Sequence, residues 1–402
     1  MGQAKVALVH IRLGWGGSEA VALWALQALR PHYDVSLITC GPVDLPRLNE
    51  YYGTALNSGD FTLLRILPPG LKAGRFDALQ AHILQRYCQR VASRFDVMIS
   101  SYNPLNFGVP GIHFVSDFSF VPEWRFALYP TLRNHKRWWY GDSPLRRAYL
   151  GLCNLISSID LHGFKQDVLV ANSKWSAARV RERMGVEART LYPPVVGEFP
   201  SVPEKEMENG FVCLGRVVPE KRVDQVVEIL AQVRRRGHDI HLHVLGGFED
   251  GRYERQLKGM TSAHRDWVFF EGKTLGAKKK ELLARHRFGI HGCKNEAFGI
   301  AVAEMVKAGC LTFVPNGGGQ TEIVDHPSLT FENDDDAIQK IVSVLQNRAL
   351  QAALAEHLRE RSRELSTERF QDTVRSLVAE FLATRGGQGA LARKPSEVGV
   401  KE

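Results

Sequence analysis

The sequence predicts an α/β fold of two Rossmann-like, doubly wound domains facing each other across a cleft. Two observations carry this expectation. Short β-rich runs alternate with helical patterns along the chain, which is the signature of βαβ units and parallel sheets. A break in composition near the middle then divides the 402 residues into halves of comparable size. Domains of this kind turn the C-terminal ends of their strands, and the loops beyond them, toward a shared cleft.

KVALVH (5–10) reads as the first strand, and GGSEAVALWALQAL (16–29) follows with apolar residues at helical spacing. VSLIT (35–39), DVMIS (96–100), IHFV (112–115) and DVLVA (167–171) read as further strands, and RTLY before the break is strand-like. GFVCLG, IHLHVLGG, WVFFEG, FGIHG and LTFVPN repeat the style in the second half. Their near-continuous apolar character fits sheets covered on both faces. The break, PPVVGEFPSVPEKEMEN, is rich in proline and glutamate. It is read as a linker over 193–209, between a first domain at 1–192 and a second at 210–367. A helix at about 368–384 is expected to pack back on the first domain. The Gly-rich, polar stretch 385–402 reads as a disordered tail.

Composition narrows the function classes. Apolar residues make up 44% and charged residues 24%, an ordinary globular balance. That excludes a mostly disordered chain, a collagen-like repeat and a disulfide scaffold. Lys and Arg number 52 against 44 Asp and Glu, a net charge of +8. The excess suits an anionic partner: a nucleotide, a phosphate-bearing lipid, a membrane surface or a nucleic acid. Six cysteines lie at 40, 88, 153, 213, 293 and 310, with neither CxxC nor zinc-finger spacing. They read as small buried hydrophobes in a reducing compartment. The first apolar run is too short for a signal sequence. No stretch approaches the ~20 apolar residues of a spanning helix. A soluble or peripheral, cytoplasmic protein is expected.

The stretch CKNEAFGIAVAEMVKAGCLTFVPNGGGQTEIV (293–324) reads as loop, helix, tight turn, strand, Gly-rich loop and helix. Gly309 is placed to end the helix that starts near Phe298. The unpaired N–H groups at that start, about residues 298–300, make a natural phosphate site, which Gly299 lets a ligand approach closely. Glu296 and Glu304 frame the helix. Glu296 could simply be an acidic residue favoured at a helix start, and Glu304 a salt-bridge partner of Lys307 at i+3. Yet Glu304 sits in the apolar run AVAEMV, where a carboxylate is costly unless something polar pairs with it. In FVCLGRVVPEKRVD (211–224), Arg216 and Lys221 follow a strand end. They could clamp a diphosphate, or form a solvated basic turn. HIRLGWGGSEAV (10–21) leads from a strand through Gly14, Gly16 and Gly17 into a helix; it lacks GxGxxG register and a Walker lysine.

Together these segments resemble a known family. EAFGIAVAE matches the Glu–seven residues–Glu motif of family-4 retaining glycosyltransferases, which have the two-Rossmann GT-B fold. LGRVVPEKRVD matches their donor-phosphate Arg/Lys loop, and ANSKWSA (171–177) and LYPPV (191–195) match further landmarks. The likeness covers most of the chain in the family's order. It looks closest to the α-1,2-mannosyltransferases that extend lipid-linked oligosaccharides, through NEAFGIAVAE, NGGG (316–319) and LRRAYLGLCNLI ahead of VANSKW. The GWGGSE loop resembles their Gly-rich loop but departs from it at Trp15 and Ser18.

The resemblance implies a nucleotide-diphospho-sugar donor, GDP-mannose first, and a glycan or lipid-linked acceptor. Arg216 and Lys221 would hold the diphosphate. Glu296 would contact the donor sugar, Glu304 the ribose, and the backbone of Phe298, Gly299 and Ile300 the phosphate. Gly16 and Gly17 would let the first domain's loop approach the substrates. His113, in GIHFVSDF, would face the reacting sugar, unless it is a loop or core histidine. The implied mechanism is front-face attack with retention, needing neither metal nor other cofactor. Two other readings of the fold are a sugar-nucleotide epimerase and a catalytically silent binding protein.

ENDDDAIQ (332–339) could pass for a metal-binding acidic motif, but it precedes a helical pattern and reads as a cap. HLRERSREL (357–365) reads as a solvated helix face. Residues 123–150 interleave Trp124, Arg133, Lys136, Arg137, Trp138, Trp139, Arg146 and Arg147. That mixture suits peripheral contact with an anionic membrane or a partly buried aromatic subdomain. No recognised nucleic-acid motif accompanies it, and no nucleic-acid partner is expected.

Overall fold

The computed structural model describes residues 2–67, 76–128, 141–158 and 163–391. The first sheet holds β1 (Lys5–Val9), β2 (Asp34–Thr39), β3 (Thr62–Arg65), β4 (Val97–Ser100), β5 (Ile112–Val115), β6 (Val168–Ala171) and β7 (Ala188–Thr190). Its order is β3-β2-β1-β4-β5-β6-β7, and every pair is parallel. The second holds β8 (Glu208–Leu214), β9 (His241–Leu245), β10 (Val268–Gly272), β11 (His286–Ile290), β12 (Leu311–Pro315) and β13 (Thr330–Phe331). Its order is β10-β9-β8-β11-β12-β13, again parallel throughout. Each sheet therefore reverses its winding at its first strand, β1 or β8, and the loops after those strands open at the switch points.

Helices α1 (Gly17–Leu29), α2 (Leu45–Tyr52), α3 (Asp77–Val91), α4 (Pro122–Leu128), α5 (Pro144–Asn154) and α6 (Lys174–Met184) belong to the first half. Helices α7 (Val223–Arg235), α8 (Gly251–Met260), α9 (Gly276–Arg285), α10 (Ile300–Lys307), α11 (Gln320–Val324), α12 (Asp334–Gln346) and α13 (Arg348–Arg363) belong to the second. The strands expected from apolar runs all form, the edge strand β10 included, and the central ones are the most deeply buried. Val6, Ala7, Leu8 and Val9 of β1 are wholly buried, as are Phe211 and Val212 of β8. β3 escapes the pattern because Thr62, Leu63 and Arg65 are exposed at a sheet edge. Helix α10 ends where Gly309 takes φ +98° and Cys310 N–H returns to the Met305 carbonyl at 3.0 Å. The acidic triplet does cap a helix: Asn333 accepts from Asp336 N–H at the start of α12.

The chain then crosses back. Phe370, Val374, Leu377, Val378 and Phe381 of α14 (Thr367–Leu391) join the core of the first domain, where α14 lies against α1. The helix runs to Leu391, past the point where a disordered tail was expected to begin at 385. A packed helix extends cheaply, one hydrogen bond per added residue, and Gly386 and Gly387 do not stop it. Residues 392–402 of the expected tail lie outside the described residues, as do 129–140, which carry Arg133, Lys136, Arg137, Trp138 and Trp139. Trp124 is buried among Phe118 and Phe120.

Because Phe370 is buried to 1% exposure in the first domain's core, Phe370→Ala should cost about 3–5 kcal/mol. Denaturant unfolding of the variant would measure it. A loss under 1 kcal/mol would mean that α14 contributes little to holding that domain.

Candidate active site

A cleft of about 2520 Å³ opens between the C-terminal ends of the two sheets. From the first domain it is lined by residues 9–19 after β1 and by Ser116, Asp117 and Ser119 after β5. From the second it is lined by Arg216, residues 218–222 and residues 296–300.

The loop after β8 brings Lys221 against Glu296, whose carboxylate accepts from its ammonium. His291 Nε2, from the end of β11, lies 3.3 Å from the same Glu296 oxygen. Burial by itself would raise the Glu296 carboxyl, but the Lys221 ammonium and His291 overcome it and hold the group well below the usual range. Burial would likewise lower Lys221, and the Glu296 carboxylate reverses that, so the ammonium is held charged. Both side chains keep 20% exposure, enough to meet a ligand from the cleft. Arg216 is more open, at 66%, and donates to Glu249 at 3.0 Å. Arg222, the next residue after Lys221, has φ +52°. A bulky residue in the left-handed region costs about 1–2 kcal/mol. Such strain is found at functional turns, and Arg222 lines the cleft.

The α10 N-terminus faces the same space. Gly299 takes φ +99° as its cap residue, with no side-chain cap. The first-turn N–H groups are thus orphaned at the positive end of the helix dipole. Phe298 is buried and stacks on Tyr192 with ring centroids 5.7 Å apart. Ile300 reaches the first domain at Gly17, where a Cβ would collide with its side chain. Gly16 N–H donates to the Tyr52 hydroxyl at 2.8 Å, which in turn donates to carbonyls of the same loop.

Two expected site residues sit elsewhere. His113 is wholly buried in β5 and does not line the cleft. Its Nε2 lies 2.9 Å from Asp167, and its ring is flanked by Phe107 and Phe164. It is a satisfied core histidine. Two other histidines of the first domain line the cleft, His82 of α3 and His10, the latter 3.0 Å from the Ser101 hydroxyl and lowered by burial to about 4, so it is neutral. Glu304 is not among the cleft-lining side chains either. It accepts from Lys279 of α9 at 2.8 Å, whereas Lys307 donates to the Val195 carbonyl. The polar partner that an apolar helix face demands exists, and it comes from another helix.

The motif ANSKWSA forms the domain junction. Ser173, the N-cap of α6, and Ser176 both donate to the Ala297 carbonyl, at 2.6 and 3.2 Å. The Lys174 and Trp175 N–H groups donate to the Glu322 carboxylate at 2.8 and 2.7 Å, and Tyr192 donates to it at 3.0 Å. Glu322 and His291 carried no signal in the sequence beyond lying near the Glu296 motif.

Comparison with known proteins places this architecture. Residues 198–364 match the family model described as glycosyl transferases group 1. Solved structures share the fold across nearly the whole chain. Anabaena HepE in complex with UDP and glucose covers 94% of this chain and 100% of its own, at TM-score 0.65 and 14% identity. WaaG, a glycosyltransferase involved in lipopolysaccharide biosynthesis, covers 92% and 99% at TM-score 0.63 and 16% identity. The chain has the GT-B fold, and its second half is similar to group 1 glycosyl transferases. Among its curated relatives is the mouse GDP-Man:Man(3)GlcNAc(2)-PP-Dol alpha-1,2-mannosyltransferase, 27% identical over 40% of this chain and 36% of the relative. Another is the Mycobacterium tuberculosis GDP-mannose-dependent alpha-(1-6)-phosphatidylinositol monomannoside mannosyltransferase, 29% identical over 48% and 50%. The match thus spans about a third to a half of these relatives' length.

In the second domain, Glu296→Gln would leave Lys221 without its counter-charge. It should cost on the order of 3 kcal/mol at pH 7. Because the folded Glu296 carboxyl is held below its ordinary value, its contribution is full above the usual carboxylate range, about pH 4–4.5, and is lost as pH falls further. The wild-type melting midpoint should therefore drop more steeply than the variant's on acidification from pH 6 to pH 3. Parallel curves would separate Glu296 from the acid response.

Proposed function

We propose that the chain is a retaining glycosyltransferase that moves mannose from GDP-mannose to a glycan or lipid-linked acceptor. The observation that carries this reading is the Lys221–Glu296–His291 cluster, set beside the α10 N-terminus on a GT-B cleft. A departing nucleoside diphosphate develops negative charge. Lys221, Arg216 and the orphaned N–H groups at the start of α10 would take it up, which is the work a metal does in other transferases. Glu296 would accept from the donor sugar's hydroxyls while sharing Lys221 with the phosphates. The bond from the anomeric carbon to the diphosphate oxygen breaks, the acceptor oxygen bonds on the same face, and its proton passes to the leaving diphosphate. No metal or other cofactor enters this scheme. Glu304 would serve the ribose only after Lys279 yields it. Mannose is favoured because relatives from mouse and M. tuberculosis are named for GDP-mannose and for acceptors on lipid carriers.

The acceptor side supports peripheral contact with the cytoplasmic face of an anionic membrane. Helix α5 exposes Leu145 and Leu152 at 59% and 66%, with Leu155 at 83% just beyond its end. Leu145 and Leu152 are seven residues apart and so share a face, and Arg147 is exposed on the same helix. Tyr149 and Leu150 of α5 line the cleft, so this apolar surface adjoins the candidate active site. No helix among the described residues is long and apolar enough to cross a membrane. The six buried, free cysteines fit a reducing compartment.

A panel of nucleotide sugars, offered in EDTA with glycan and lipid-linked acceptors, tests the reaction. Release of GDP with transfer of mannose is expected, and Lys221→Ala should lower turnover about 10²-fold or more. An isomerised sugar would point to an epimerase, and binding without turnover to a silent scaffold. For the membrane, Leu145→Glu with Leu152→Glu should release the protein from anionic liposomes while leaving hydrolysis of the donor intact. Equal sedimentation of wild type and variant would assign α5 to another role.

A further inference from the structure

The second sheet carries a cluster of metal-binding side chains at the end away from the cleft. Glu208 and His286 are the first residues of β8 and β11, and His241 is the first of β9. His243 follows two residues later, on the same face as His241. The sheet order puts β8 between β9 and β11, so Glu208 stands centrally with a histidine on either side. His241 Nε2 lies 3.1 Å from His286 Nε2 and 3.2 Å from Glu208 Oε2. His286 Nε2 lies 3.6 Å from the same oxygen. One donor atom of each of the four residues falls within 4.8 Å of the others.

We propose that Glu208, His241, His243 and His286 form a binding site for a divalent transition-metal ion, of the zinc class, that ties three strands of the second domain together. The spacing carries this. Ligand bonds of about 2.0–2.1 Å in a tetrahedron place ligand atoms about 3.3 Å apart; the separations among Glu208, His241 and His286, 3.1, 3.2 and 3.6 Å, bracket that value, and the His243 donor atom lies within 4.8 Å of all three. Three imidazoles with a carboxylate are the donor set that zinc takes.

The surroundings orient the ligands as a metal site requires. His286 Nδ1 lies 2.6 Å from the Leu282 carbonyl, which can only accept. The proton therefore sits on Nδ1, and Nε2 turns a lone pair toward His241 and Glu208. Two lone-pair-bearing groups directed at one point, a ring nitrogen and a carboxylate, are what a cation relieves. His243 Nδ1 lies 2.9 Å from the Glu271 carboxylate, which fixes its ring. Arg285 holds the other Glu208 oxygen at 2.7 Å and leaves Oε2 for the ion. Carbonyl and carboxylate contacts of this sort are the usual outer support of ligating histidines. The register partner of His241 is Gly210. A Cβ there would collide with the His241 ring, so the absent side chain gives that ring its room. An entry path exists: the cluster borders a hollow of about 410 Å³ whose other walls include Asp239 and Asp266.

The test uses the full chain, stripped with EDTA, desalted and titrated with ZnCl2 against a chromogenic chelator. One equivalent should bind per chain and raise the thermal midpoint. Co2+ in its place should give the intense visible bands of tetrahedral coordination. His241→Asn with His243→Asn should weaken binding at least tenfold and abolish the thermal shift, with an unchanged circular dichroism spectrum. Glu208→Gln alone should do the same in lesser degree, and it serves where the double variant does not fold. Turnover of donor should be equal in wild type and variants, since the cluster lies away from the cleft. Absence of stoichiometric zinc binding would overturn the proposal. So would zinc binding that these variants leave unchanged, which would move the ion to the His291, Cys293 and Glu296 group in the cleft.

Discussion

The arrangement of the cleft depends on the N-terminus of α6. A helix start offers N–H groups without partners and a positive dipole end. Here Ser173 caps one of them from within the domain, and two more are taken by the other domain. Glu322 takes the Lys174 and Trp175 N–H groups, and Ser173 and Ser176 hold the Ala297 carbonyl. Ala297 lies between Glu296 and Phe298, so the same bonds that join the domains also position the loop in front of α10. Any hinge motion that widens the cleft must either carry this loop with the first domain or break charge-assisted hydrogen bonds. Tyr192 reinforces the joint twice, by its hydroxyl on Glu322 and its ring on Phe298.

With the loop fixed, the cleft's charges are arranged to answer one another. Lys221 is held charged by Glu296, and Glu296 is held ionised by Lys221 and His291. Lys221 keeps its proton and Glu296 does not take one up, so the pair stays a dipole that an incoming anion can divide. A phosphate would draw on the ammonium and leave the carboxylate to accept from sugar hydroxyls. Arg216 and Glu249 repeat the arrangement nearer solvent, where an ion pair is worth little and a ligand displaces it cheaply.

How much of this was legible follows from which signals are local. The central strands are apolar runs buried on both faces, and a run of that kind is visible in one window. Arg216 and Lys221 are placed by reading forward from the end of a strand, and Glu296, Phe298, Gly299 and Ile300 by the start of the helix they precede or open; all six line the cleft. β3 was hidden because an exposed edge strand has no such run. His113 and Glu304 illustrate the other limit. Each is decided by a partner far away in sequence: Asp167, 54 residues on, and Lys279, 25 residues back. Local pattern showed that a carboxylate in AVAEMV needed a partner, but not which residue would supply it. His10 has no local signal either: it follows the apolar strand β1, and only the place of that strand's end in the sheet puts it at the cleft.

The histidine cluster was illegible for the same reason, carried further. Spacing rules for metal sites work when the ligands lie on one turn, one hairpin or one helix. Glu208, His241, His243 and His286 span 79 positions and meet only because a parallel sheet stacks the starts of its strands at one edge. The geometry that gathers those starts also gathers the strand ends, and it gathers them at the cleft. A doubly wound domain therefore has two places where distant residues converge. Substrate chemistry occupies the carboxyl edge, where helix N-termini and flexible loops can follow a reaction. The amino edge has short connections arriving from helix C-termini, such as Arg285 into His286. A rigid edge of that kind suits a fixed ligand set better than a moving substrate, which is why a stabilising ion there need not disturb the chemistry at the other end.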